Sequence, residues 1–276
     1  MLFEKLEYQR QCVDNIVKAL AGCDFAGCDF SPMVENLKEL EVPFPSEINP
    51  RKNQIDVLME TGTGKTFTYL KTIFELHRLF GQNKFIIVLP RVAIKLGVIQ
   101  NIRLTKEYFY NEYQRHLDFI NYPKDGLDCI HNDFINSSRL SVIITTNSAF
   151  NSKDRRINKQ DENLLGMRST WEGIANKKPV VIIDEPHLLK GSETKRGLAK
   201  LDKSLFIRFG ATFPTDSENS IANLAYALDS KAAFDNRLVK KIGVSTVFDA
   251  NEMSNIEVKN IVRGDSFDPS SAKVMS

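Results

Sequence analysis

Met59-Glu60-Thr61-Gly62-Thr63-Gly64-Lys65-Thr66 stands between a short apolar run, Ile55-Asp56-Val57-Leu58, and a long amphipathic segment over residues 67–80. A strand feeding a glycine-rich turn, which in turn feeds a helix N-terminus, aims a row of backbone N–H groups at one spot. The helix dipole adds partial positive charge there, so a polyphosphate is the natural occupant. Gly62 and Gly64 are expected to take the left-handed backbone that lets the chain approach phosphates closely. Lys65 would reach the β- and γ-phosphates, and the Thr66 hydroxyl would sit on Mg²⁺. Thr61 and Thr63 complete the expected cradle. The strict pattern places a glycine six residues before the lysine, where this chain has Met59. That departure argues against a small GTPase or adenylate kinase and for a cousin of the motif. A merely flexible turn is the competing reading, and Lys-Thr directly after the second glycine disfavours it.

With 276 residues the chain has the length for one large domain or two of ordinary size. Its 42% hydrophobic and 26% charged residues place it among soluble globular proteins. No apolar run approaches the roughly 18 residues of a membrane span, and Met1-Leu2-Phe3-Glu4 lacks the basic and apolar regions of an export signal. The expectation is a cytoplasmic protein with no membrane partner. A net charge of +2 permits nucleic acid as a partner without demanding it, since a basic groove is compatible with a near-neutral total. The four cysteines are Cys12, Cys23, Cys28 and Cys129. Cys23 and Cys28 fall in a tandem repeat, Ala21-Gly-Cys-Asp-Phe followed by Ala26-Gly-Cys-Asp-Phe. With no histidine or second cysteine pair at ligand spacing, reduced thiols are expected and a metal is not.

Residues 55–58, 85–89, 141–145, 180–183 and 205–209 read as buried parallel strands, short and rich in Val and Ile. Helical patterns separate them, over residues 65–80 with Leu70, Ile73, Phe74 and Leu76, and over about residues 98–116. The alternation implies an α/β fold of right-handed βαβ units that binds ligands at the carboxyl ends of its strands. Residues 6–20 read as a helix, and the stretch to about Asn53, with Pro32, Pro43, Pro45 and Pro50, as loop-rich. Residues 151–163 read as an exposed loop, residues 221–241 as one helix, and the tail from Asp265 as frayed.

Val180-Val-Ile-Ile-Asp184-Glu185-Pro186-His187 places Asp184 at the end of a buried strand, beside the phosphate loop if both strands are central. Asp184 would hold Mg²⁺ through water, and Glu185 would polarise the attacking water as general base. An Asp-Glu turn capping the next helix is the plain alternative, and the upstream phosphate loop favours the catalytic reading. Phe209-Gly210-Ala211-Thr212-Phe213 closes another apolar strand, with residues small enough to pack near the carboxylates.

Together these motifs resemble those of superfamily 2 helicases and translocases. Asp184-Glu185-Pro186-His187, with the phosphate loop, is similar to the restriction subunit of type III restriction-modification enzymes, and the likeness covers most of the chain. The resemblance implies a RecA-like P-loop NTPase domain, its parallel sheet flanked by helices, with a short C-terminal extension. Residues 1–54 would carry the adenine-reading motif, residues 55–215 the first motor domain, and residues 216–276 the extension. Lys65 and Glu185 would be catalytic, Gln9 would read the adenine edge, and ATP and Mg²⁺ would be the cofactors. Pro90 and Arg91, then Thr146 and Asn147, stand where the family contacts the DNA backbone. His187, Gly210, Ala211 and Thr212 would couple the ATP site to a second motor domain. Residues 223–230 and 238–242 resemble the segment that follows the first motor domain. Double-stranded DNA and a modification methyltransferase subunit are the implied partners, with ATP-driven translocation preceding DNA cleavage.

Two departures stand out. Arg91 occupies a position where a small hydroxylated residue is commoner, and nothing after Phe213 reads as a second motor or nuclease domain. Glu257-Val258-Lys259, with Asp249 upstream, fits a nuclease-like Glu-x-Lys, but an accessory strand explains its alternation better. His77, His116 and His131 have no partner at ligand spacing. Another superfamily 2 translocase, or a truncated nucleotide- or DNA-binding remnant, stays open as an alternative.

Overall fold

The computed structural model describes residues 6–42, 47–149, 157, 169–189, 192–201, 203–214 and 219–238. The elements run α1 (Glu7–Ala19), α2 (Pro32–Glu39), β1 (Gln54–Met59), α3 (Lys65–Phe80), β2 (Lys84–Leu89), α4 (Val92–Tyr113) and β3 (Asp118–Asn121). Then follow α5 (Gly126–Cys129), which passes into a π turn, β4 (Ser141–Thr146), α6 (Thr170–Asn176), β5 (Val180–Asp184), α7 (Ser192–Leu198), β6 (Phe206–Gly210), β7 (Leu224–Leu228) and α8 (Ser230–Asp235). The strands form one sheet in the order β3-β4-β2-β5-β6-β1-β7, with every pairing parallel. The chain divides into two compact units, residues 1–229 and 230–276, and α8 is the described helix of the second.

The expected α/β architecture is found. β2, β4 and β5 are buried at every position, as strands covered on both faces must be. Helix α3 buries Leu70, Ile73, Phe74 and Leu76, the predicted stripe, and packs against α1 and α4. Helix α1 buries Gln9, Cys12, Val13, Ile16 and Ala19 along one face and packs on α3 and β7. Burying each large apolar side chain contributes about 1.5–3 kcal/mol, so these stripes fix the helices to the sheet.

Four expectations need correction. Residues 221–241 do not form one helix: Leu224–Leu228 is the edge strand β7, paired with β1, and only Ser230–Asp235 is helical among the described residues. Asn223, at φ 58, immediately precedes that strand, and its side-chain amide donates to the carbonyls of Asn49, Lys52 and Gln54. The proline-rich stretch holds a helix, α2, with Pro32 at its first position, where a missing N–H costs nothing. Residues 98–116 mark the helix late: α4 starts at Val92, ends at Tyr113 and gives way to the unforeseen short strand β3. Ile157, within the expected exposed loop 151–163, is buried in a core cluster with Ile86, Ile143 and Trp171. The rest of that loop, residues 239–242, the Asp249 and Glu257-Val258-Lys259 motif, and the tail lie outside the described residues.

One buried ion pair sets the register at the centre of the site-bearing half. Asp56 on β1 faces Arg208 on β6, and the guanidinium grips the carboxylate with two contacts of 2.6 Å. Arg208 also donates to the carbonyls of Asn219 and Ser220, and the Asp56 carboxylate accepts the Ala222 amide N–H. Bidentate geometry with every remaining lone pair served is what a buried pair needs to be tolerated.

Candidate nucleotide-binding site

The glycine-rich loop, Pro90-Arg91, Thr146-Asn147, Asp184-Glu185 and Gly210-Ala211-Thr212 all stand at the carboxyl ends of their strands. After β1 the backbone turns at Gly62 (φ 85) and Gly64 (φ 84), both left-handed as expected. Thr63 closes the turn by donating its amide and its hydroxyl to the Glu60 carbonyl, at 3.3 and 2.6 Å. Met59, where the strict motif has glycine, buries its side chain in the core. Thr61 lies exposed on the turn, its N–H bonded to the Glu60 carboxylate. At Gly64 a second constraint applies: any Cβ would overlap the carboxamide of Gln9.

Gln9 is buried against the loop and donates to the Thr63 carbonyl at 3.2 Å. The Tyr8 hydroxyl donates to the same oxygen at 2.8 Å, a contact the sequence did not suggest. Helix α1 thus ties down the turn through two neighbouring residues.

Strand β6 lies between β1 and β5, so Asp184 is not on the strand next to the phosphate loop. The side chains converge nonetheless. Lys65 Nζ is 2.9 Å from Glu185 Oε1 and 3.3 Å from the Met59 carbonyl, with side-chain exposures of 9% and 17% for the ion pair. Glu185 reaches there because its backbone takes a left-handed conformation, φ 53 and ψ 64, unusual for a residue with a Cβ. Its N–H, bonded to the Phe209 carbonyl at 2.8 Å, holds that conformation. Gly210 ends β6 beneath it. A Cβ there would come within 2.9 Å of both Pro186 Cδ and the Thr212 carbonyl, so only glycine lets the β5 and β6 exits close on each other. His187 Nδ1 is 3.6 Å from Glu185 Oε2 and 3.0 Å from the Thr212 hydroxyl, which links the same two exits by side chains. Ala211 lies between Gly210 and Thr212, half-buried.

Asp184 is 5% exposed, and its Oδ1 has no hydrogen-bond partner among the described residues. Burial, and then the charge of Glu185, push its carboxyl up to about 6 against the opposing pull of Lys65. An orphaned, desolvated carboxylate oxygen calls for a cation, and Thr66 offers a hydroxyl at the start of α3. No cluster of three or more acidic, histidine or cysteine side chains that could cage a metal occurs among the described residues. Two oxygen ligands with the rest left to phosphate and water is how Mg²⁺ is commonly held, so the residues fit that ion.

The remaining predicted residues form a second group. Leu89 of β2 pairs with Thr146 of β4, so Pro90 and Arg91 leave the sheet beside Thr146 and Asn147. Arg91 is exposed at the N-cap of α4 and makes no capping bond, so the usual serine or threonine role there is not filled. Thr146 is buried and shares a 2.8 Å hydrogen bond with Ser148. The sheet order keeps this group on β4-β2 and the phosphate loop, carboxylates and Gly210 on β5-β6-β1.

A parallel sheet whose first strand runs into a glycine-rich phosphate loop, and whose fifth ends in Asp-Glu, defines a RecA-like P-loop NTPase fold. The family model described as "Type III restriction enzyme, res subunit" matches residues 2–215, and the chain belongs to that family. It is 36% identical to the EcoP15I Res subunit of Escherichia coli over 214 residues, covering 70% of this chain and 21% of that protein. It is 36% identical over 212 residues to the EcoPI Res subunit of Escherichia phage P1, with the same coverage. With the StyLTI Res subunit of Salmonella typhimurium it shares 30% identity, over 88% of this chain and 27% of that protein. The chain therefore spans about a quarter of the length of the curated relatives it matches, between 21% and 27%. Among solved structures it resembles a nuclease-deletion mutant of the Type ISP restriction-modification enzyme LlaGI in complex with a DNA substrate mimic. That likeness has a TM-score of 0.47 and 16% identity, over 86% of this chain and 21% of the other. No helix among the described residues is long and apolar enough to cross a membrane.

Proposed function

We propose that this chain is the ATP-binding motor domain of a type III restriction subunit, with Lys65 and Glu185 as its catalytic pair. The observation that carries the reading is the presence of three groups at one edge: the Lys65–Glu185 ion pair, the Thr66 hydroxyl and the Asp184 carboxylate, whose buried Oδ1 has no partner among the described residues. The loop N–H groups and Lys65 bind the phosphates, Gln9 meets the adenine edge, and Thr66 and Asp184 hold the Mg²⁺. When bound, that ion neutralises charge developing on the transferred phosphate. Glu185 orients the attacking water and takes its proton once Lys65 has moved to the phosphates. His187, Gly210, Ala211 and Thr212 link this site to whatever domain closes over it.

Residues 1–54 belong to this reading as the adenine-side lobe, residues 55–215 as the motor domain, and residues 216–276 as an extension whose strand β7 joins the same sheet. Pro90, Arg91, Thr146 and Asn147 form a wall that meets duplex DNA at its phosphates. Binding there is salt-sensitive and indifferent to sequence. A methyltransferase subunit supplies recognition, and the cytoplasm is the site of action. ATP hydrolysis drives movement along DNA before cleavage.

A steady-state ATPase assay with duplex DNA tests the assignment. The chain alone is expected to turn ATP over slowly, because in this reading a second motor domain completes the site, and Lys65→Ala should remove what activity there is. Rapid, DNA-stimulated turnover by the 276-residue chain would refute the need for a second motor domain.

A further inference from the structure

Tyr69 lies one helical turn beyond Thr66 on the same face of α3 and is completely buried. Its ring packs edge-on against Phe209, at 5.6 Å and 65°, the residue whose carbonyl accepts the Glu185 N–H. A buried phenol needs a partner for its hydroxyl. Here the hydroxyl donates to Thr66 Oγ1 at 3.3 Å.

The other threonines of α3 behave differently. Thr68 donates back to the Gly64 carbonyl at 3.2 Å and Thr72 to the Thr68 carbonyl at 3.0 Å, the usual habit of a helical threonine. Such a bond spends the hydroxyl proton inside the helix. At Thr66 the oxygen instead accepts from Tyr69. A hydroxyl has two lone pairs and one proton, so with one lone pair taken by Tyr69 the other can still serve a cation.

From this geometry we infer that Tyr69 is a positioning residue, fixing the Thr66 hydroxyl in the rotamer that ligates the nucleotide-borne divalent cation. The inference rests on the nucleotide reading above and goes beyond it by naming what aims the metal ligand.

Titration of the full chain with a fluorescent ATP analogue, once in excess Mg²⁺ and once in EDTA, tests it. Wild type should bind more tightly with Mg²⁺. Tyr69→Phe should weaken binding in Mg²⁺ by about fivefold, the value of one hydrogen bond, and leave binding in EDTA unchanged. In a Thr66→Val background, Tyr69→Phe should have no further effect. Equal losses in both conditions would mark Tyr69 as packing alone and overturn the inference, as would a Tyr69→Phe variant that keeps the full Mg²⁺ gain. If wild type itself shows no Mg²⁺-dependent binding, the nucleotide assignment fails first, and the two failures are distinguishable.

Discussion

Lys65 Nζ sits 2.9 Å from Glu185 Oε1, so the lysine at the head of α3 is ion-paired to the exit of β5 across the end of β6. The pair is largely shielded, which makes it stronger than a surface contact. A polyphosphate must compete with Glu185 for that ammonium. Glu185→Gln should therefore tighten ATP-analogue binding by roughly threefold to tenfold while removing residual hydrolysis, because the proposed general base is gone. Parallel binding and turnover measurements check both halves.

Gly210 is the spacer between the two exits. Gly210→Ala is expected to destabilise the protein by about 1–3 kcal/mol, since the new methyl meets Pro186 Cδ and a backbone carbonyl at 2.9 Å. Nucleotide-linked turnover should fall as well, because the displaced segment carries Glu185. Urea unfolding and ATPase assays report the two effects.

Asn223 anchors residues 49–54 ahead of the phosphate-loop strand. It accepts the Asn49 N–H at 2.7 Å and donates to three backbone carbonyls from a fully buried side chain. Asn223→Ala should cost about 2–4 kcal/mol in urea unfolding. Asn223→Gly should cost about 1 kcal/mol less, because φ 58 suits glycine and strains alanine.

Asp184 carries a pH signature. Its carboxyl titrates at about 6 in the fold, against an ordinary value near 3.9 when unfolded. Between those values the folded state binds the extra proton, so this group's contribution to stability falls as pH rises from about 4 to 6. In metal-free buffer, Asp184→Asn should stabilise the protein at pH 7.5 by up to about 2–3 kcal/mol. The advantage should fade below pH 4. Thermal melts across pH in EDTA measure it.

Five of the seven described strands could be read from runs such as Phe85-Ile-Ile-Val-Leu and Val180-Val-Ile-Ile, because a strand buried on both faces leaves a largely apolar run, broken in β1 and β6 only by Asp56 and Arg208. β3 is hidden by its length and its Asp118 and Asn121 ends. β7 is hidden because Leu224 and Leu228, four residues apart, suit a helix stripe as well as a buried strand. Pro32 reads as a loop signal in isolation, yet at a helix's first position it is favourable. The candidate site residues were legible wherever chemistry demands a residue type, as at Gly64, Lys65 and Asp184. Strand order is long-range and leaves no local trace, so the insertion of β6 between the strand of the glycine-rich loop and the strand of Asp184 was not readable. The hydroxyl contacts of Tyr8 and Tyr69 are revealed only by their neighbours in space.

Isothermal titration of the chain with a non-hydrolysable ATP analogue and Mg²⁺ tests the nucleotide site most directly. Saturable one-site binding is predicted for wild type, weakened at least about tenfold in Lys65→Ala, where the charge-assisted phosphate contacts are lost. No binding by wild type, or equal binding by both proteins, would contradict the assignment.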